Sequence, residues 1–93
     1  MEITVVLDTI SRIETGRSEV SLSVAPDATG RDLLQALVAA LPKLGNTTID
    51  PKTGTFYDDD CWLADEHRIG VPDLSASLHL PEGARLLILT AAC

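Results

Sequence analysis

A chain of 93 residues is expected to form one domain, and at that size it buries only about two-thirds of the surface its unfolded form exposes. Hydrophobic residues make up 45% of it, enough for one core and too many for disorder; with Phe56, Tyr57 and Trp62 the only aromatics, that core must be built from Leu, Ile, Val and Ala. The net charge of −7 argues against nucleic acid and anionic membrane as partners, because both select clusters of Lys and Arg.

In chain order, Ile3, Val5 and Leu7 alternate with Thr4, Val6 and Asp8, which predicts a strand. A polar stretch containing Gly16 reads as a long connection. Val20, Leu22 and Val24 then alternate with Glu19, Ser21 and Ser23, giving a second strand with one wet face. The two pair as an antiparallel hairpin. After Pro26, Thr29 is a suitable helix cap and Asp32 completes a weaker capping box. Leu33, Leu34, Leu37, Val38 and Leu41 recur at helical spacing. The prediction is one amphipathic helix over residues 30–41, stopped by Pro42 and Gly45.

Residues 43–60 read as loop, with a short extended piece around Thr47–Ile49. Cys61, Trp62 and Leu63 suit a strand, and Arg68–Val71 a further one halted by Pro72. Residues 73–80 read as a compact turn with Leu74, Leu78 and Leu80 inward. Pro81-Glu82-Gly83 is a tight turn, leading into a last strand, Arg85–Thr90. The acidity is local: residues 50–82 hold eight acids and two bases, for a charge of −6.

Chemical motifs are sparse. Two cysteines make no disulfide framework, and Cys61, in a strand, reads as a small core residue. His67 and His79 show no ligand spacing. Asp58-Asp59-Asp60 lacks the spacing of a calcium loop, and no nucleophile elbow is present. Neither a metal site nor a cofactor is implied, and nothing points to an enzyme. Without a basic segment followed by an apolar one, no signal peptide is expected, and no apolar run reaches the roughly 18 residues of a membrane span. The expectation is a cytoplasmic protein.

The order of hairpin, helix, short strands, turn and final strand resembles the β-grasp fold of ubiquitin. Val24, Pro26, Thr29, Leu33 and Leu37 look like ubiquitin's strand-end valine, proline, capping threonine and helical core positions. The run Leu80-Pro81-Glu82-Gly83-Ala84-Arg85-Leu86-Leu87-Ile88-Leu89 looks like the turn into the last strand of many ubiquitin-like proteins. Within that family the sequence is most similar to the bacterial YukD/EsaB-like group, which includes proteins of bacterial ubiquitination-like operons. The resemblance implies an α+β ubiquitin-like β-grasp, a mixed four- to five-stranded sheet packed on one amphipathic helix. The domain would span 1–90 and a short tail 91–93.

The function it implies is a protein modifier or carrier in a bacterial ubiquitination-like conjugation pathway. E1-like and E2-like enzymes, or a processing peptidase, would act on the tail Thr90, Ala91, Ala92 and Cys93. Here the sequence departs from the family: no glycine follows Gly83. Ala91-Ala92 stands where a Gly-Gly pair is expected, and removal of Cys93 would expose the Ala92 carboxylate. Period 2 places Leu87 and Leu89 on the outer face of the last strand, and with Trp62 they form a candidate partner-binding patch. The alternative is a non-covalent adaptor, such as a type VII secretion accessory protein, with an inert tail.

Overall fold

The computed structural model describes residues 1–58, 61–67, 69–71 and 73–90. Its elements are β1 (Glu2–Leu7), α1 (Thr9–Thr15), β2 (Glu19–Ser23), α2 (Gly30–Ala40), α3 (Leu44–Thr47), β3 (Ile49–Asp50), β4 (Thr55–Phe56), β5 (Cys61–Asp65) and β6 (Arg85–Thr90). Four strands form a mixed sheet in the order β2-β1-β6-β5, and β3 and β4 form a separate ribbon. β1 runs antiparallel to β2 and parallel to β6, and β5 runs antiparallel to β6.

Strand alternation decides the faces. Ile3, Val5 and Leu7 of β1, Val20 and Leu22 of β2, Leu63 of β5 and Leu86 and Ile88 of β6 all point to one side and are buried. They meet Leu33, Leu34, Leu37 and Val38 of α2, buried at the predicted helical spacing. Each fully buried Leu contributes roughly 1.5–3 kcal/mol relative to an exposed one, so three fully buried leucines make α2 the principal ligature of the sheet. The cap is as predicted and stronger. Thr29 Oγ1 accepts from the Asp32 amide at 3.1 Å, and the Asp32 carboxylate accepts from the Thr29 amide at 3.1 Å. The short carboxylate suffices for a full capping box.

Three segments depart from the sequence reading. The polar connection after β1 is helical: Arg12 N–H donates to the Asp8 carbonyl and Gly16 N–H to the Arg12 carbonyl, both at 2.8 Å. Seven residues with Ile13 exposed carry too little amphipathic pattern to announce a helix. Thr47 belongs to the one-turn α3 rather than to an extended piece, and the extended pair begins at Ile49. The loop region also hides the β3–β4 ribbon, in which Ile49 pairs with Phe56. Its turn lies on α2 through Gly54, at φ +70, where an added Cβ would stand 2.7 Å from the Arg31 carbonyl oxygen.

Of the strand expected at Arg68–Val71, the described residues show one isolated bridge. Gly70 pairs with Ala64, Val71 N–H donates to Leu63 at 2.8 Å, and Asp65 N–H donates to Ile69 at 3.1 Å. The Pro81–Ala84 turn closes through Ala84 N–H to the Pro81 carbonyl at 3.1 Å, with Gly83 at φ +77, a conformation that glycine adopts freely.

The aspartates of the acidic region hold turns. Asp50 accepts from the Lys52 amide at 2.9 Å, and Asp65 from the His67 and Ile69 amides at 2.8 and 3.0 Å. Asp73 accepts from the Ser75 amide at 2.9 Å and its hydroxyl at 2.6 Å. These are Asx turns, so much of the local charge stands where three changes of direction need a side-chain acceptor. The Ser75 hydroxyl, and after it the Ser75 amide, hold the Asp73 carboxyl below its ordinary value.

Candidate functional site: the outer sheet face and the end of β6

The sheet face turned away from α2 carries the candidate patch. In β6, Leu86 and Ile88 enter the core, so Leu87 and Leu89 stand on the other side. The register sets their neighbours. Val6, Leu87 and Ala64 lie in one row across β1, β6 and β5, and Leu89 lies opposite Trp62 in the next. The structure therefore brings all three predicted patch residues onto one face and adds Val6 and Ala64. A signal for Val6 was present: it is the one apolar residue on the otherwise polar phase of β1.

Exposure across the face is uneven. Trp62 is 36% exposed and Leu87 half-buried, while Leu89 is 7% exposed and Ala64 fully buried. Outward position and accessibility thus part company at Leu89, which has the large Trp62 side chain as its cross-strand partner. The indole also reaches the sheet edge: its Cδ1 lies 3.4 Å from the point where a Gly70 Cβ would stand. Leu87 and Trp62 supply the accessible part of the patch, and Leu89 its floor.

One border of the face is charged. The Arg85 guanidinium reaches Glu19 across β1 at 3.2 Å, with both side chains about half exposed. At that exposure the pair contributes at most about 1 kcal/mol; its main effect is to mark where the apolar area ends.

β6 is hydrogen-bonded on both sides and outruns β1. The last β1 partner is Leu7, opposite Ile88, whereas Thr90 still pairs with Cys61 of β5. The chain thus leaves the sheet beside half-buried Cys61. Of the predicted tail, Thr90 closes β6, while Ala91, Ala92 and Cys93 lie outside the described residues. His67 and His79 are both exposed. Among the described residues no group of three His, Cys, Asp or Glu side chains is placed to hold a metal ion, and no helix is long and apolar enough to cross a membrane.

No family model matches the chain, and no curated protein matches it. Solved structures do. The crystal structure of SAMP1 from Haloferax volcanii is 23% identical, with 97% of this chain and 94% of that one covered and a TM-score of 0.78. A crystal structure of the H. volcanii small archaeal modifier protein 1 is 24% identical over 94% and 93% of the two chains, with a TM-score of 0.74. The solution structure of the Haloferax volcanii HVO 2177 protein is 21% identical, covers 100% of this chain and 85% of that one, and has a TM-score of 0.74. At these identities the likeness is one of fold. The chain has the ubiquitin-like β-grasp expected from its sequence, with a four-stranded mixed sheet and one principal helix. These neighbours are archaeal and lend no support to the YukD/EsaB-like placement.

Proposed function

We propose that the chain is a ubiquitin-like protein modifier or carrier. The segment Thr90–Cys93 is processed or activated by partner enzymes in the cytoplasm, and those enzymes dock on Leu87 and Trp62 over Leu89. E1-like and E2-like enzymes, or a peptidase that removes Cys93, are the partners. The chemistry belongs to them; this protein supplies a carboxylate beyond a rigid strand and a surface by which it is recognised. The bacterial conjugation pathway implied by the sequence resemblance stands beside archaeal structural neighbours, so the proposal rests on the modifier role rather than on the host.

The observation that carries this reading is the placement of β6. It is paired on both sides, continues past the end of β1, and bears the accessible Leu87 on the face away from the core. Leu87 and Thr90, after which the proposed tail continues, thus belong to one strand, with Trp62 on the neighbouring β5. The near full-length likeness to structures of small archaeal modifier protein 1 supports the same reading. Deleting residues 91–93 is expected to abolish covalent transfer while leaving the fold intact. Intact-mass spectrometry of the protein from its own host, with and without the deletion, is the test. Adducts that persist without residues 91–93 overturn the tail assignment.

One observation favours the adaptor reading: no glycine follows Gly83, so the tail is bulkier than a Gly-Gly pair throughout. If the protein is a non-covalent adaptor, of the kind found beside type VII secretion machines, Leu87→Asp disrupts its complex and deletion of 91–93 leaves that complex unchanged.

A further inference from the structure

A cavity lies on the core side of the β5 edge. It is about 530 Å³ and opens between the 65–71 connection, the 73–80 segment and the start of β6. Its walls are mainly apolar, with Val71, Leu78, Leu80 and Ala84 among them, and Ile69, 65% exposed, stands at its mouth. Buried at the wall is the Ser77 hydroxyl, which has no hydrogen-bond partner among the described residues. Such an orphan in a native structure calls for an explanation.

The sheet edge beside this groove is open. The bonds from Val71 to Leu63 and from Asp65 to Ile69 make Gly70 and Ala64 a non-hydrogen-bonded pair. The alternation of an antiparallel ladder then turns the N–H and C=O of Gly70 away from β5. Neither has a partner among the described residues. An unpaired backbone edge beside an apolar groove is the arrangement that accepts an added strand, with main-chain bonds for affinity and a pocket for alternate side chains. Among the charged residues lining the groove, Asp65, Glu66 and Asp73 outnumber Arg85, whose guanidinium is paired with Glu19. The Asp65 and Asp73 carboxylates each hold a turn, and the exposed side chains of Glu66 and Asp73 stand on the rim.

We propose that this groove binds an extended peptide segment of a partner protein. The segment adds as a strand along Gly70, places an apolar side chain against Val71, Leu78 and Leu80, and carries a Lys or Arg that faces Glu66 and Asp73. The groove adjoins the outer face only at Gly70, beside Trp62, and the inference does not depend on the modifier reading.

The test is an amide-resolved NMR titration of the ¹⁵N-labelled full chain with a capped synthetic peptide, Lys-Val-Thr-Val-Lys. Two controls accompany it: the same peptide N-methylated at its central Thr and at both Val, and a version with Glu in place of both Lys. The expected result is saturable shifts at Gly70, Val71 and residues 77–80, with binding lost on N-methylation and at least tenfold weaker for the Glu-flanked peptide. No shift at these amides up to millimolar peptide overturns the proposal. So do shifts that persist with the N-methylated peptide, or that fall on β2 or around Leu87. Concentration-dependent Gly70 shifts without peptide identify a second copy of this chain as the occupant and equally refute a heterologous segment.

Discussion

Gly54 and Gly83 both sit at positive φ, +70 and +77, yet they predict different costs when a methyl group is added. At Gly83 nothing lies within 4 Å of an added Cβ. Gly83→Ala therefore pays only for the left-handed backbone, about 1–2 kcal/mol, partly offset by the smaller entropy of the unfolded chain. At Gly54 the same Cβ would meet the Arg31 carbonyl oxygen at 2.7 Å and Gln35 Cγ at 2.9 Å, closer than the 3.0 Å that real Cβ atoms respect. The nearer atom is helix backbone, so the β3–β4 turn must lift away from α2. Overpacking of this kind adds about 1–3 kcal/mol. Gly54→Ala is expected to cost roughly 2–4 kcal/mol and Gly83→Ala about 1 kcal/mol. Urea titrations of both variants measure the difference through the midpoint at constant slope. In melting temperature the Gly83 variant should fall by about 4–8 °C and the Gly54 variant by at least twice that. Equal losses, within about 0.5 kcal/mol, refute the claim that the ribbon is seated on α2 by a backbone contact.

Leu87→Asp should leave the fold intact, because the side chain is only half-buried, and should weaken binding of a docking enzyme more than tenfold in a titration calorimeter. Trp62 is the only tryptophan and stands on the same face, so a partner that covers the patch should shift its fluorescence to the blue, and no shift on saturation places docking elsewhere. Thr29→Ala removes the hydroxyl half of the capping box and should cost about 1 kcal/mol of stability in urea. The Asp73 carboxyl is held below its ordinary value of 3.8 by Ser75, so the stability it contributes is present above that value and lost as pH falls through the lowered one. Asp73→Asn keeps the acceptor and should flatten this part of the acid limb, and an unchanged acid profile refutes the assignment.

What the sequence made legible was whatever repeats locally. The alternation in residues 3–7 and 19–24, the Leu spacing of α2, its Thr29–Asp32 cap and the Pro81–Gly83 turn each follow from neighbours in the chain, and each stands in the structure. What escaped was decided by distant groups. β3 and β4 have two residues each and exist because Gly54 lets their turn lie against Arg31. The α1 helix, short and half polar, carries too weak a period to be read. For the site, period 2 assigned Leu87, Leu89 and Trp62 to one face, but it says which way a side chain points and not what lies over it. Leu89 is buried although it points outward, opposite Trp62 in the register. Likewise, the sequence shows residues 50–82 only as a local concentration of acids, whereas in the structure Asp50, Asp65 and Asp73 each hold a turn.

The parallel pairing of β1 with β6 has a mechanical consequence. Residue 2 begins β1 at one end of the sheet, and residue 90 closes β6 at the other. Tension between these points pulls the two strands along their length in opposite directions. The bonds joining Thr4–Leu7 to Arg85–Ile88 are then loaded together in shear instead of opening one by one from an end. A machine that unfolds proteins by drawing in one end of the chain would meet its greatest resistance here.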